Sequence, residues 1–324
     1  MNNQGLLDLM IATLPGLNPI DKINLLKTFD CENDFVIQSK RNIEEILNKE
    51  LKKFWDVNVI QAKAEKITSL CLARSINWVS WNDMLAYPPL LREIYDPPPV
   101  IFYRGSLPNP EKPLLGMVGT RRPSPEAASQ SYSIAYGAGQ AGISVVSGLA
   151  HGIDTMSHRG NLAGNVPGYA VLGSGTDEVY PSANRALARK ILESGGALIS
   201  EYPPGIRPSK WTFPARNRII SALSRSVIVA EAPKKSGALI TAAFALEHGR
   251  DLWVASTGVQ ESRPLYDRRG TSKLAADGAE IIYSSSDVLE KWNIKIEDEN
   301  KMAEHKTTRM ELVSSMADYL EIKL

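Results

Sequence analysis

Apolar residues follow two different rhythms along this chain. Up to about residue 75 they recur at helical spacing. Leu6, Leu7, Leu9, Met10 and Leu14 run into a break at Leu14-Pro15-Gly16-Leu17. Ile23, Leu25, Leu26 and Phe29 form a second apolar face, and Ile43, Ile46, Leu47 and Leu51 a third. The i, i+3, i+4 pattern predicts short helices packed as a small module over residues 1–80. The Leu-Pro-Gly-Leu turn fits a helix-hairpin-helix element that meets DNA phosphates through backbone amides. It also fits a plain connector between packed helices, and the connector is the favoured reading.

From residue 114 short apolar runs alternate with helical stretches. Strands are predicted at 114–118, 143–146, 168–172, 197–200, 226–230 and 252–255, and helices at 124–140, 152–163, 182–193, 215–222 and 237–248. Strands separated by helices of this length imply right-handed crossovers and a mostly parallel sheet with helices on both faces. The fold class expected is α/β, of an extended Rossmann-like kind, preceded by the small helical module. Ligands in such folds bind beyond the carboxyl ends of the strands. Eight prolines between residues 87 and 113 predict a stiff linker, with a short strand at Val100-Ile101-Phe102-Tyr103. The core is expected over 85–293. Residues 294–324 are charged and weakly patterned, and read as a tail or short helices.

Composition narrows the function classes. The 324 residues carry a net charge of +1, so any polyanion site must be a local patch. Cys31 and Cys71 form no CxxC, which removes zinc-knuckle and thiol-redox motifs and suits a reducing cytoplasm. No run is long and apolar enough to span a membrane, and the start lacks the basic region of a secretory signal.

Five segments could carry chemistry. Val118-Gly119-Thr120-Arg121-Arg122-Pro123-Ser124 follows a strand and opens a helix, with Ser124 as N-cap and Arg121 as an anion donor. Ser147-Gly148-Leu149-Ala150-His151-Gly152-Ile153-Asp154 offers Gly148 for close approach of a ligand. His151, Asp154 and His158 could hold a metal, but a hydrogen-bonded structural cluster is the better reading, and no metal or cofactor is expected. Gly173-Ser174-Gly175 begins like a dinucleotide fingerprint, but Glu178 occupies the third glycine position. Between Glu201 and Arg225 lie five basic residues and one acidic, with Trp211 and Phe213 interleaved. Cations for phosphates and aromatic faces for bases suit single-stranded nucleic acid. Lys234-Lys235-Ser236-Gly237 sets two lysines before a helix start, another anion site. P-loop, GxSxG and HExxH motifs are absent.

The segments VGTRRPS, SGLAHGIDTMSH, VLGSGTDEVYPSANRAL, SEYPPG, FPARNRIISALS and EAPKKSGALITAAFALEHGR, in this order, resemble the DNA-processing protein A family, also called Smf. The resemblance runs from about residue 85 to 283, and more loosely into the N-terminal helices, similar to the family's sterile-alpha-motif-like or helix-hairpin-helix-like module. It implies an extended Rossmann-like fold that binds single-stranded DNA without sequence preference. It further implies protection of incoming strands in natural transformation, loading of a RecA-type recombinase, a homodimer and no enzymatic activity. The DNA-contacting residues it implies are Arg121, Lys210 and Phe213, with the Arg216-Asn217-Arg218 triplet beside them. Ser124, Gly148, His151, Lys234 and Lys235 complete the expected DNA-binding set. His151 stands where the family usually has Arg or Lys, and Glu126-Ala127 replaces the usual Tyr-Gly. The winged-helix domain often found at the family's C-terminus does not fit into residues 294–324. The competing class is a nucleotide reader or a phosphoribohydrolase-like enzyme on a related fold. The Pro-Gly-Gly-x-Gly-Thr loop usual in that enzyme class is not present.

Overall fold

The structure, a computed structural model, describes residues 3–52, 55–261 and 265–294. All but the first residue of the 294–324 tail lie outside these. The chain opens with five helices: α1 (Asn3–Ala12), α2 (Pro19–Thr28), α3 (Glu32–Val36), α4 (Lys40–Leu47) and α5 (Val57–Ala73). Asn18 caps α2 in a capping box with Asp21, and Pro19 sits in the first turn, where its missing N–H costs nothing. Lys22 donates to the Ala12 carbonyl at 2.6 Å and Lys63 to that of Thr13 at 3.1 Å. The module's own lysines thus tie down the end of α1 just ahead of the Leu-Pro-Gly-Leu turn.

Strand β1 (Asn77–Ser80) follows, then α6 (Pro89–Arg92) and β2 (Val100–Gly105). From here strand and helix alternate. β3 (Leu114–Val118), α7 (Pro125–Gln140), β4 (Ser144–Ser147), α8 (Ile153–Ala163), β5 (Tyr169–Val171), α9 (Arg185–Glu193) and β6 (Ala197–Ser200) make the first half. The second half is α10 (Thr212–Leu223), β7 (Ser226–Val229), α11 (Gly237–Glu247), β8 (Asp251–Ala255), α12 (Arg269–Ala276), β9 (Glu280–Ile282) and α13 (Ser285–Lys291).

Among the described residues these strands form one nine-stranded sheet, in the order β1-β2-β6-β5-β4-β3-β7-β8-β9. The β1–β2 and β2–β6 pairs are antiparallel and the rest parallel. This is the α/β, mostly parallel arrangement that the alternation of elements predicts. Side chains alternate across the sheet. Leu114 and Val118 of β3 face Ile219, Ile220 and Leu223 of α10, while Leu115 and Met117 face Ile134 of α7 and Ile153 of α8.

The proline-rich stretch carries more structure than a linker. Its strand β2 extends the sheet, and Tyr87, Leu91 and Ile94 join the main core. Val100 and Phe102 of β2 pack with Leu9, Phe35 and Ile67 of the N-terminal helices, so those helices rest on the sheet. After β6 the chain crosses back over the sheet to place β7 on the other side of β3. That reversal makes the β3–β7 boundary the topological switch point, where a doubly wound sheet opens a crevice at its carboxyl edge.

Candidate nucleic-acid interface

A cleft of about 260 Å³ occupies that crevice. The loop after β3 contributes Gly119, Thr120 and Arg121, and the loop after β4 contributes Ala150 and Asp154. Helix α10 contributes Phe213, Pro214, Arg216 and Asn217, and the start of α11 contributes Lys235, Ser236 and Gly237. Ser236 caps α11 by accepting from the Ala238 amide at 3.2 Å. Four separate segments of the chain therefore converge on one opening.

The aromatic wall of the cleft is Phe213. Its half-exposed ring lies 5.5 Å below the Arg121 guanidinium carbon and 5.6 Å from the Tyr180 ring. Its edge rests on Gly173, where an added Cβ would come within 3.0 Å of it. The glycine after β5 thus serves this ring, which accounts for a Gly-x-Gly start without the rest of a dinucleotide fingerprint. Tyr180 is 48% exposed and extends the aromatic surface, a role that no local sequence pattern signals. Lys210 is exposed, with its ammonium 4.8 Å from the ring of Trp211, itself 74% exposed.

The Arg216-Asn217-Arg218 triplet does not form one phosphate-facing patch. Successive residues on a helix diverge by about 100°, so three neighbours cannot point at one ligand. Arg216 is buried and donates to the carbonyls of Gly148, at 2.8 Å, and Val171. Asn217 donates to the Gly237 carbonyl at 3.0 Å, tying α10 to α11. Arg218 turns the other way and pairs with Glu201 at 2.6 Å and Asp96 at 3.1 Å. It lies inside the fold, and its place in the expected DNA-binding set is corrected to that of a structural tie.

Gly148 and Ser124 are corrected in the same way. An added Cβ on Gly148 would meet the Arg216 guanidinium at 2.4 Å, so the space above this glycine belongs to Arg216. Ser124 does cap α7, accepting from Ala127, but it has no exposed surface. It donates to buried Glu231 at 2.6 Å, and Arg268 donates to both residues. The anion at this helix start is the protein's own Glu231. Lys235 lines the cleft, whereas exposed Lys234 and exposed His151 lie outside its lining, each next in the chain to a residue that lines it.

Asp154 accepts from the amides of Gly148 and Ala150 at 3.1 and 3.3 Å. Burial raises its carboxyl above the usual range, and Arg216 and the two amides oppose that. Burial lowers the Arg216 guanidinium to about 10, against the pull of Asp154. Arg216 knits the β4 loop to α10 through its bond to the Gly148 carbonyl, and Asp154 holds the same loop through its two amides. His151, Asp154 and His158 do not meet as a metal site, and no such cluster occurs among the described residues.

His158 is fully buried with neither ring nitrogen hydrogen-bonded, and burial pushes it down to about 3, with Arg216 adding to the effect. Its folded value lies below the unfolded one, so its contribution is intact above about pH 6.5 and is lost as pH falls toward 3. Between pH 7 and 5 wild type should lose about 2 kcal/mol more than His158→Leu, at ~1.36 kcal/mol per pH unit below 6.5. Urea midpoints at the two pH values measure this. Parallel losses in the two proteins would deny His158 the effect.

The model of the family described as DNA recombination-mediator protein A matches residues 78–293, about two thirds of the sequence and all of the sheet except the first residue of β1. The chain belongs to this family. It is 44% identical over 207 residues to protein Smf of Synechocystis, covering 63% of this chain and 51% of that one, so it spans about half the length of that relative. Its fold is similar to that of DNA processing protein A from Streptococcus pneumoniae, with a TM-score of 0.70 at 32% identity over 90% of this chain and 98% of the other. It is also similar to DNA processing protein A from Helicobacter pylori, solved in a study of its single-stranded DNA binding mode. There the TM-score is 0.58 at 26% identity, covering 67% and 95% of the two chains. In this chain the switch-point cleft brings the cations Arg121 and Lys235 and the aromatic face of Phe213 to one opening. No helix among the described residues is long and apolar enough to cross a membrane.

Proposed function

We propose that this chain binds single-stranded DNA without sequence preference, through residues 85–293, and works in DNA recombination. The observation that carries this is the half-exposed Phe213 ring in the switch-point cleft, with Arg121 above it and Lys235 at the start of α11. A base stacks on the ring while its phosphates meet the cations, and neither contact reads sequence. The similarity to the Helicobacter pylori protein supports single strands over duplex, whose stacked bases cannot reach the ring. The family's description as a recombination mediator supports transfer of the strand to a RecA-type recombinase, as in natural transformation. In this reading the protein acts in the cytoplasm as a non-enzymatic homodimer, with residues 1–80 as an accessory helical module.

Salt dependence tests the contact set. Arg216 and Arg218 are spent inside the fold, which leaves Arg121, Lys210 and Lys235 to meet phosphates. A short labelled oligo-dT should show a log–log salt slope of about −2, at ~0.7 per phosphate, rather than the roughly −3 of four contacts. Alanine at Arg121 or Lys235 should each reduce it by about 0.7. Equal affinity for duplex, or full competition by a mononucleotide, would overturn the reading and put the nucleotide reader first.

A further inference from the structure

A second concave surface lies beyond Tyr180. It is a cleft of about 370 Å³ beside α9, lined by Arg104, Arg185 and Arg189 together with Asp177, Glu178 and Val179. Arg104 comes from β2 and Arg185 from the first turn of α9, so the tertiary fold, not the sequence, brings them together. Neither has an ion pair among the described residues. Arg189 has a solvent-exposed partner in Glu193 at 3.3 Å. Asp177 is already held by Arg74 and by the Gly205 amide. Three guanidinium groups gathered in a concavity whose lining holds two carboxylates, one of them already paired with Arg74, leave a positive field and present planar forks that match phosphate.

Neighbouring residues in the chain border the two clefts. Val179 lines the arginine cleft, and its neighbour Tyr180 contacts Phe213 in the first cleft. On the same flank the Ile206 carbonyl accepts from the Gly175 amide at 2.9 Å, which sets exposed Arg207 beside the β5 loop. Aromatic surface followed by cations continues the pattern of the first cleft in a second direction.

We propose that a single strand bound at Phe213 continues across Tyr180 into the Arg104–Arg185 cleft, which takes its phosphates as a second site. This rests on the single-strand reading above and adds to it a direction of travel and a second set of contacts. It requires affinity to rise with strand length through residues that short strands never touch.

The test is fluorescence anisotropy with labelled oligo-dT of increasing length. The proteins are wild type, the Arg104→Ala/Arg185→Ala double variant, Arg185→Glu, Tyr180→Ala and Phe213→Ala. Arg185 and Tyr180 are exposed and Arg104 is half-exposed, so melting temperatures should stay near wild type and verify folding. The shortest strands that bind should bind wild type and the double variant alike. Past a threshold length wild type should gain at least tenfold. The double variant and Arg185→Glu should lack that gain, and Tyr180→Ala should reduce it. The salt slope for long strands should be smaller in the double variant by about 1.4, from two phosphates at ~0.7 each. A double variant that tracks wild type at every length, or that is weakened equally at every length, would overturn the second site. If Phe213→Ala still weakens binding in that case, the single-strand reading survives without it. If wild type binds no strand of any length, that reading falls and the second site with it.

Discussion

Replacing Arg216 with alanine should lower the stability of the protein by about 2–6 kcal/mol, from two buried carbonyls left unsatisfied at ~1–3 kcal/mol each. The melting temperature should fall by roughly 10 °C. The Gly148 and Val171 carbonyls lose a donor, and the Asp154 carboxylate loses the nearby positive charge that opposes the effect of its burial. Its two amide donors remain but do not neutralise it. Since domains have only ~5–15 kcal/mol in total, much of the protein should be unfolded at modest denaturant. Arg216→Lys keeps the charge but cannot span two carbonyls, and should fall between. Thermal melts and urea titrations of the three proteins decide the matter. A variant as stable as wild type that has lost affinity for oligo-dT would make Arg216 a phosphate contact.

Removing the Phe213 ring should have the opposite profile, with binding lost and stability largely kept. The ring is half-exposed and belongs to none of the main core clusters, so its truncation empties little of the interior. Base–aromatic stacking is worth ~1–3 kcal/mol per base, so Phe213→Ala should weaken oligo-dT binding roughly tenfold or more. Phe213→Trp should restore much of it, because any large π-face serves. Arg121 loses the surface beneath its guanidinium in the alanine variant, so Arg121→Ala should cost less there than in wild type. Anisotropy titrations of the two single variants and the double variant test both statements. Undiminished binding by a folded Phe213→Ala would leave the ring a packing element over Gly173.

The contrast between Arg216 and Phe213 marks how far the sequence reaches. Local pattern determined the alternation of strand and helix from residue 114 onward. It also determined the N-cap at Ser124 and the loops that lie at the carboxyl edge of the sheet. These follow from periodicity and capping, which involve residues within a turn or two of each other. Strands β1 and β9 are not legible in the sequence because each opens on an exposed polar residue, Asn77 or Glu280, and lacks the buried apolar run of β5, β6 and β7; their pairing with β2 and β8 is long-range. The proline-rich stretch looked like a linker because its apolar residues find their partners only once the sheet forms. Charge was the least legible property. Arg121, Lys210, Arg216 and Arg218 look alike as cations in the sequence, yet two stand in solvent and two are buried. Arg216 is fixed by carbonyls 68 and 45 residues away, and Arg218 by Glu201 and by Asp96 on a segment before the sheet's first parallel strand. Whether an arginine meets a phosphate or a carbonyl depends on which loops share its side of the sheet. Only the tertiary structure decides that, because the energy of a buried cation lies in contacts that chain proximity does not encode.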